Sequence, residues 1–453
     1  MDTADNPSTA PGAPNAVGAS RLLDVLYLCA AVLLVPYFLY RRLIKRKQSA
    51  GLRARMGHVE ARSADRRRIW IHAVSVGEAA LIEPFVNQMR AADPQLDIVV
   101  STTTVTGQTL ARKKYGEQNV FYYPQDLSWA VQRAMDRIAP TVLVLAELEV
   151  WPNMTAECVR RGIPVIVING RISARAARRY RQFWFLVGPS FHRVRRWLVQ
   201  SDEYSGRLKE LGVSENAIEI AGNMKYDAVD TRTDTAARAT LRTELGFPAD
   251  VLVFTGGSTH PTEESELLKA FQQVRAKNPA LRLILVPRHP ERAADVESEV
   301  RAAALNPVRL SALRISAKAQ LQADDVLIVD TVGELKNMYK ISDVAFVGGS
   351  LIPHGGQNVM EPCGLGVAVL HGPHMHNFND AMEILRACSG SVEVTRDTLA
   401  AELEKLLLNS TEARAMASRA REGFLSRQGA TRRTVEVVLE LLKAAERAKV
   451  QGP

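Results

Sequence analysis

The segment IWIHAVSVGEAALIEPF, Ile69 to Phe85, shows the repeating unit of the chain. An apolar run rich in β-branched and aromatic residues stops at Ser75-Val76-Gly77, and a helical period begins with Glu78. A short apolar run closed by a turn and followed by a 3.6-residue period reads as a strand feeding a helix. The same unit recurs at LDIVVSTTT, VLVLAELE, IPVIVIN and RWLVQS. After a polar stretch at residues 227–250 the series restarts with VLVFTGGS, LRLILVPRH, VLIVD, VAFVGGS and VAVLHGP. Strands that are continuously apolar, rather than alternating, belong to parallel sheets covered on both faces. The chain of 453 residues is too long for one core. The pattern therefore predicts two Rossmann-like α/β domains, at residues 49–226 and 251–453, with residues 227–250 as the linker.

In open parallel sheets ligands bind beyond the carboxyl ends of the strands, so the polar residues that end these runs are the functional candidates. Glu78 admits two roles there. A carboxylate in the first turn of a helix is favoured by the helix dipole alone, and it is also placed to take a proton in a cleft. In the second half, FVGGS ends a strand in two glycines, which lets backbone N–H groups approach an anion. HGGQNVMEP follows, with Asn358 as the expected cap of a helix that carries Glu361 and whose N-terminus would hold a phosphate. TGGSTH and VPRHPER end two further strands, and Arg288 suits bidentate binding of a phosphate or carboxylate. Together these four strand ends point to a nucleotide or nucleotide-sugar site.

The formal charge of +9 is concentrated in two places. Between Arg41 and Arg68 there are eleven Lys/Arg and two carboxylates, and between Arg171 and Arg196 eight Arg and no acid. The remainder is net acidic. The first basic stretch follows the apolar run Leu22–Tyr40, interrupted only by Asp24, which is marginally long enough to span a bilayer or to lie in its interface. It predicts an N-terminal membrane anchor over residues 21–48, with everything after Arg41 on the cytoplasmic side of the inner membrane. Residues 1–20 read as a disordered tail. In the second basic stretch the arginines alternate with Tyr180, Phe183, Trp184, Phe185 and Phe191. Next to a membrane anchor this reads as a site for anionic lipid phosphates; otherwise it is a solvated basic face. No nucleic-acid recognition motif accompanies it. Four unpaired-looking cysteines fit a reducing compartment and argue against a zinc site. No Asp-x-Asp pair follows a strand, so neither metal nor cofactor is expected.

The chain resembles the 3-deoxy-D-manno-octulosonic acid (Kdo) transferases of lipid A assembly. The motifs that carry the resemblance run in order along most of the chain: HAVSVGE, AELEVWPN, NGRISARA, GNMKYD, GGSTHPTEE, LVPRHPER, DTVGEL and FVGGSLIPHGGQNVMEP, followed by GPHMHNF. The resemblance implies a GT-B fold with a cleft between its two domains. It also implies CMP-Kdo as donor, inversion at the anomeric carbon, and an anionic lipid A precursor (lipid IVA-like) as acceptor at the cytoplasmic membrane face. It makes Glu78 the proton acceptor, Glu147 a transition-state partner and Lys225 a second stabilising group. The CMP site it implies comprises Pro287, Arg288, Val332, Gly333, Glu334, Asn358, Val359, Met360 and Glu361. This chain has Glu147-Leu148-Glu149 where the family often reads Glu-Thr-Glu, and His354-Gly355-Gly356-Gln357 within the donor loop. Two other classes compete: a UDP-sugar transferase or epimerase on the same fold, and a membrane-tethered scaffold without activity.

Overall fold

The computed structural model describes residues 23–25, 27–29, 51–231, 235–248, 250–315 and 321–451. The chain forms two compact units, Met1–Asp227 with Gly429–Pro453, and Ala228–Gln428. The first contains seven strands: β1 (Arg68–His72), β2 (Asp97–Thr102), β3 (Val120–Tyr122), β4 (Val142–Ala146), β5 (Val165–Gly170), β6 (Arg196–Val199) and β7 (Ile218–Ile220). They lie in the order β3-β2-β1-β4-β5-β6-β7, with every pairing parallel. The central strands are buried along their whole length, as their unbroken apolar runs require. At the amino edge, Arg68 is almost fully buried but ion-paired to Asp97 at 2.6 Å, so the register of β1 on β2 is fixed by a satisfied charge.

The second unit repeats the plan with β8 (Leu252–Thr259), β9 (Leu281–Pro287), β10 (Asn306–Arg309), β11 (Asp325–Ile328), β12 (Val344–Val347), β13 (Ala368–His371) and β14 (Val392–Glu393). Their order is β10-β11-β9-β8-β12-β13-β14, again all parallel. Both units are GT-B-type α/β sheets covered by helices. In the first, the winding direction reverses between β1 and β4; in the second, between β8 and β12. These reversal points are where neighbouring connections leave on opposite faces and open a crevice.

Two boundaries differ from the sequence expectation. The helix Ala430–Gln451 belongs to the first unit, not the second. Its Val435, Val438 and Leu442 are buried in one cluster with Ile69, Ile71 and Phe85 of the first unit. Asp227 fixes this return, accepting from Gly429 N at 2.6 Å and Thr431 N at 2.5 Å. The polar stretch 227–250 also holds the helix Thr235–Glu244, and the adjoining Leu245 and Phe247 are buried in the core of the second unit. Arg242 of that helix pairs with Asp343 at 2.7 Å. A polar outer face on a packed helix gave the composition of a linker.

Most of the expected anchor and all of the expected tail lie outside the described residues. Of the anchor, residues 23–25 and 27–29 are helical, and Leu23 is buried. Asp24, which interrupts the apolar run, accepts from Ser128 N at 2.8 Å and Asn153 Nδ2 at 3.0 Å of the first unit. Among the described residues, no helix is long and apolar enough to cross a membrane.

The placement of the last helix has a direct consequence. Leu442→Ala is expected to destabilise the first unit by about 2–5 kcal/mol, the cost of a cavity in a packed core. Denaturant unfolding monitored separately for the two units should show the loss in the first and leave the second unchanged.

Candidate active site

In the first unit the chemistry collects where the winding reverses. Glu78 follows β1 and Glu147 follows β4, so the two glutamates sit on either side of the reversal point. Glu78 is the third residue of the helix Val76–Leu81, whose N-cap is Ser75. Ser75 Oγ accepts from Glu78 N at 3.4 Å, and the Glu78 carboxylate accepts from Val74 N at 2.8 Å and Ser75 Oγ at 2.9 Å. This reciprocal cap folds the carboxylate back over the end of its own strand. Burial pushes its pKa from the ordinary 4.5 up to about 7, against the pull of those two hydrogen bonds, and the charges of Glu147 and Glu149 push the same way.

Gly107, at the start of the helix Val105–Tyr115, lets the turn after β2 close against this cap. A Cβ there would stand 3.1 Å from the Ser75 carbonyl carbon. Gly77 is different: a Cβ there meets nothing nearer than Ser75 Oγ at 3.8 Å. The fold has room for a side chain beside Glu78 and carries none.

Glu147 has φ +58°, in the left-handed region, with its N–H donating to Ile168 O at 2.9 Å. The strand has already ended at Ala146, so Glu147 and Glu149 are not alternate residues of a strand sharing one face. They lie in the turn beyond it. Glu149 accepts from Trp151 Nε1 at 3.1 Å, and burial raises its pKa. Asn169, at the end of β5, is also left-handed (φ +52°) and accepts from Met224 N at 3.0 Å. That bond holds the loop carrying Lys225, which is exposed. The sequence-identified Glu78 and Glu147 are thus brought together, and Lys225 hangs from the adjacent strand end.

In the second unit Pro287 ends β9, and Arg288 N donates to Thr259 O at 2.9 Å, so Arg288 stands beside the loop that leaves β8. His260 in that loop faces His354 at 4.2 Å and His289 at 6.4 Å between ring centroids, and its Nε2 meets Gln357 Nε2 at 3.1 Å. Burial, reinforced by His354, His289, Arg292 and Arg288, lowers the His260 pKa to about 4. These histidines were not singled out as site residues, although each follows a strand end in the quoted motifs. Val332 and Gly333 form an exposed turn beyond β11, with Gly333 at φ +92°. The Glu334 carboxylate is committed to Arg314 at 2.8 Å and Asn337 at 3.0 Å, so that turn offers its backbone rather than this acid. Asn358 Oδ1 accepts from Met360 N at 3.1 Å and Val359 is buried. The helix they start, Met360–Gly364, has only five residues, with Glu361 as its second. Burial raises the Glu361 pKa, opposed by Asn358 and then by Lys336.

The strand end FVGGS departs most from expectation. Its backbone N–H groups do converge on an anion, but the anion is the protein's own Glu263. A cavity of 640 Å³ in this unit is lined by Arg238, Ser342 and Asp343 at the amino edge of the sheet, and none of the expected donor-site residues lines it.

The model of the 3-deoxy-D-manno-octulosonic-acid transferase (Kdotransferase) family matches residues 50–228. The 3-deoxy-D-manno-octulosonic acid transferase of Haemophilus influenzae is 34% identical over 380 residues, 83% of this chain and 86% of that protein. The transferase of the same description from Bordetella pertussis is 31% identical over 384 residues, covering 83% and 87%. A solved glycosyltransferase from Rickettsia africae shares the fold at a TM-score of 0.52 and 12% identity, covering 84% of this chain and 99% of that one. The resemblance carried by the ordered motifs therefore holds over most of the chain, and the protein belongs to the 3-deoxy-D-manno-octulosonic acid transferase family and is a Kdo glycosyltransferase.

Proposed function

We propose that this enzyme transfers Kdo from CMP-Kdo to a hydroxyl of an anionic lipid A precursor at a membrane surface, with inversion at the anomeric carbon. The acceptor oxygen attacks that carbon from the face opposite CMP, the bond to the phosphate oxygen breaks, and the hydroxyl proton passes to Glu78. The observation that carries this reading is the Glu78 carboxyl at the reversal point of the first sheet. It is half-buried and held by two hydrogen bonds, and burial, with two further carboxylates beside it, pushes its pKa up to about 7. A base working near neutrality needs such a value, because a lower one would leave it too weak to accept the proton. Glu147 and Lys225 act on the developing charges, Glu147 by favouring positive charge at the anomeric carbon and Lys225 by stabilising the leaving phosphate.

Donor binding belongs, in this proposal, to the carboxyl edge of the second sheet. Pro287, Arg288, the Val332–Glu334 turn and residues Asn358–Glu361 contact CMP, with Arg288 on its phosphate and Glu361 on its ribose hydroxyls. No metal is required by this scheme, and a chelator should leave the rate unchanged. For the acceptor, the support is the face that follows β5. Helices Ala174–Gln182 and Trp184–His192 expose Arg175, Arg178, Arg179 and Arg181 beside Phe183 and Phe185, the last 81% exposed. Cations beside exposed aromatics suit lipid phosphates at an interface.

Glu78→Gln is expected to lower turnover roughly 10²–10⁴-fold while CMP binding persists. The wild-type kcat/KM should fall about tenfold per pH unit below about 7, where Glu78 becomes protonated, and this limb should vanish in the variant. The stability effect has the opposite sign. A carboxyl raised in the folded state loses stability as pH climbs from 4.5 through about 7, so the Gln variant should melt no lower than wild type at pH 8. An active Glu78→Gln enzyme would remove the base assignment.

Gly77→Ala separates fold from chemistry at the same turn. An alanine early in a helix should stabilise by about 0.5–1 kcal/mol, whereas a methyl group beside Glu78 should reduce turnover if the acceptor approaches there. Full activity in a stabilised variant would mean that the space beside Glu78 is not used. On the donor side, Arg288→Ala and Glu361→Ala should each weaken CMP binding about tenfold or more by calorimetry. Equal protection by CMP and UDP in thermal melting would instead favour the UDP-sugar alternative.

A further inference from the structure

We infer that Glu263 is a positioning residue that locks the two donor-side loops into one rigid edge. The inference rests on the reading of that edge as the donor site. The carboxylate is completely buried at the first position of the helix Glu263–Arg275. Its Oε2 accepts from His260 N at 3.0 Å and Gly349 N at 2.7 Å, and its Oε1 from Ser350 N and Leu351 N, both at 3.0 Å. The first donor lies in the loop leaving β8; the other three lie in the loop leaving β12. β8 and β12 are the two strands between which the winding reverses. One side chain therefore ties both walls of that crevice together.

The neighbouring backbone shows what the tie has to hold. Ser258 and Thr262, on either side of His260, are non-glycine residues at φ +53° and +78°. Such conformations persist where surrounding contacts over-determine them. The two loops also touch directly. A Cβ on Gly348 would lie 2.3 Å from Ser258 O, and Gly348 N donates to Gly257 O at 2.8 Å. Beyond the contact, Gly356 N and Gln357 N return to Gly349 O and Gly348 O, which sets Gln357 against His260. Moving the Glu263 carboxylate would thus displace His260, Gln357 and the approach to Asn358 together.

The chemistry demands a carboxylate. Its two oxygens offer four lone-pair positions, matching four N–H donors, whereas an amide would turn two hydrogens of its own toward them. The glycine-rich end of β12 is consequently an anion nest already filled from within. A donor anion must be held by other groups on this edge, and Glu263 acts on the donor only through the loops.

The test compares Glu263→Gln and Glu263→Ala with wild type in the full chain. In Glu263→Gln, amide hydrogen exchange without ligand should accelerate about tenfold or more at His260 and at Gly349–Leu351, the loss of about one charge-assisted hydrogen bond. Exchange in β9 and β11 should not change. The donor KM should rise by a comparable factor, with a smaller change in kcat. In Glu263→Ala, added formate should refill the nest and restore protection and donor KM together. If Glu263→Gln fails to fold, formate-dependent recovery of Glu263→Ala carries the same information, and no recovery overturns the proposal. Wild-type exchange or an unchanged donor KM in a folded Glu263→Gln protein also overturns it. Weak CMP binding in Arg288→Ala alongside either result would leave the donor-site reading standing by itself.

Discussion

The central strands of each sheet are buried along their length, so they present polar side chains for chemistry at and beyond their ends rather than along their faces. Every candidate group follows from that constraint. Trp70, Ile71 and His72 of β1 are fully buried, and the first polar group free to act is the glutamate one turn into the next helix. The same holds for β4 with Glu147, β8 with His260 and β9 with Arg288. Strand order then selects among the edges. At β1/β4 and at β8/β12 the winding reverses, and these two places hold Glu78 with Glu147 and His260 with Glu263.

Glu78 shows why a structural and a chemical role need not compete. The reciprocal cap with Ser75 and Val74 satisfies donors at the helix start, which is the ordinary use of a carboxylate at this position. The same bonds hold it over the strand end, where burial costs the charged form more than the hydrogen bonds return. The result is a carboxyl whose pKa lies near 7 although it is capped. A helix-dipole role alone would give the opposite sign, because a positive helix terminus and two donors both favour ionisation. The direction of the shift is that of desolvation winning over capping at a half-buried carboxyl.

The sheets were legible because their signal is local: ten apolar runs, each closed by polar or glycine residues, correspond to strands of the two units. Glu78 and Arg288 followed from reading the ends of those runs and Glu147 from the family resemblance, whereas the strand order that makes the reversal points did not show in any single run. What escaped depends on contacts distant in sequence. The amphipathic pattern of Ala430–Gln451 states that a helix buries one face, but not that the face is completed by Ile69 and Phe85. Glu263 and Glu264 in PTEE look like acids favoured at a helix start. Their burial against loops as far away as Leu351, and against Arg292, is invisible to any local period. Asp24 likewise read as a flaw in an apolar run, and its partners lie more than a hundred residues on. Residue type also misled: a glutamate gives no hint of a left-handed backbone, and Glu147 has one.

That last feature connects the two edges. Among the described residues, Ala139, Ala304 and Ser389 are left-handed at or just past helix ends, where such a residue closes the last turn. Glu147, Asn169, Ser258 and Thr262 are left-handed at carboxyl edges instead, where no helix requires it. Each conformation costs of order 1 kcal/mol or more for a residue with a Cβ, and glycine would relieve it. At Glu147 and Asn169 glycine would also delete a side chain that faces the reversal point or holds the Lys225 loop. At Ser258 and Thr262 the strain flanks His260 and is borne against the four bonds to Glu263. In the first unit, then, strain accompanies a side chain that must point a particular way. In the second, it accompanies a loop that must lie in a particular place, and a buried carboxylate supplies the force that keeps it there.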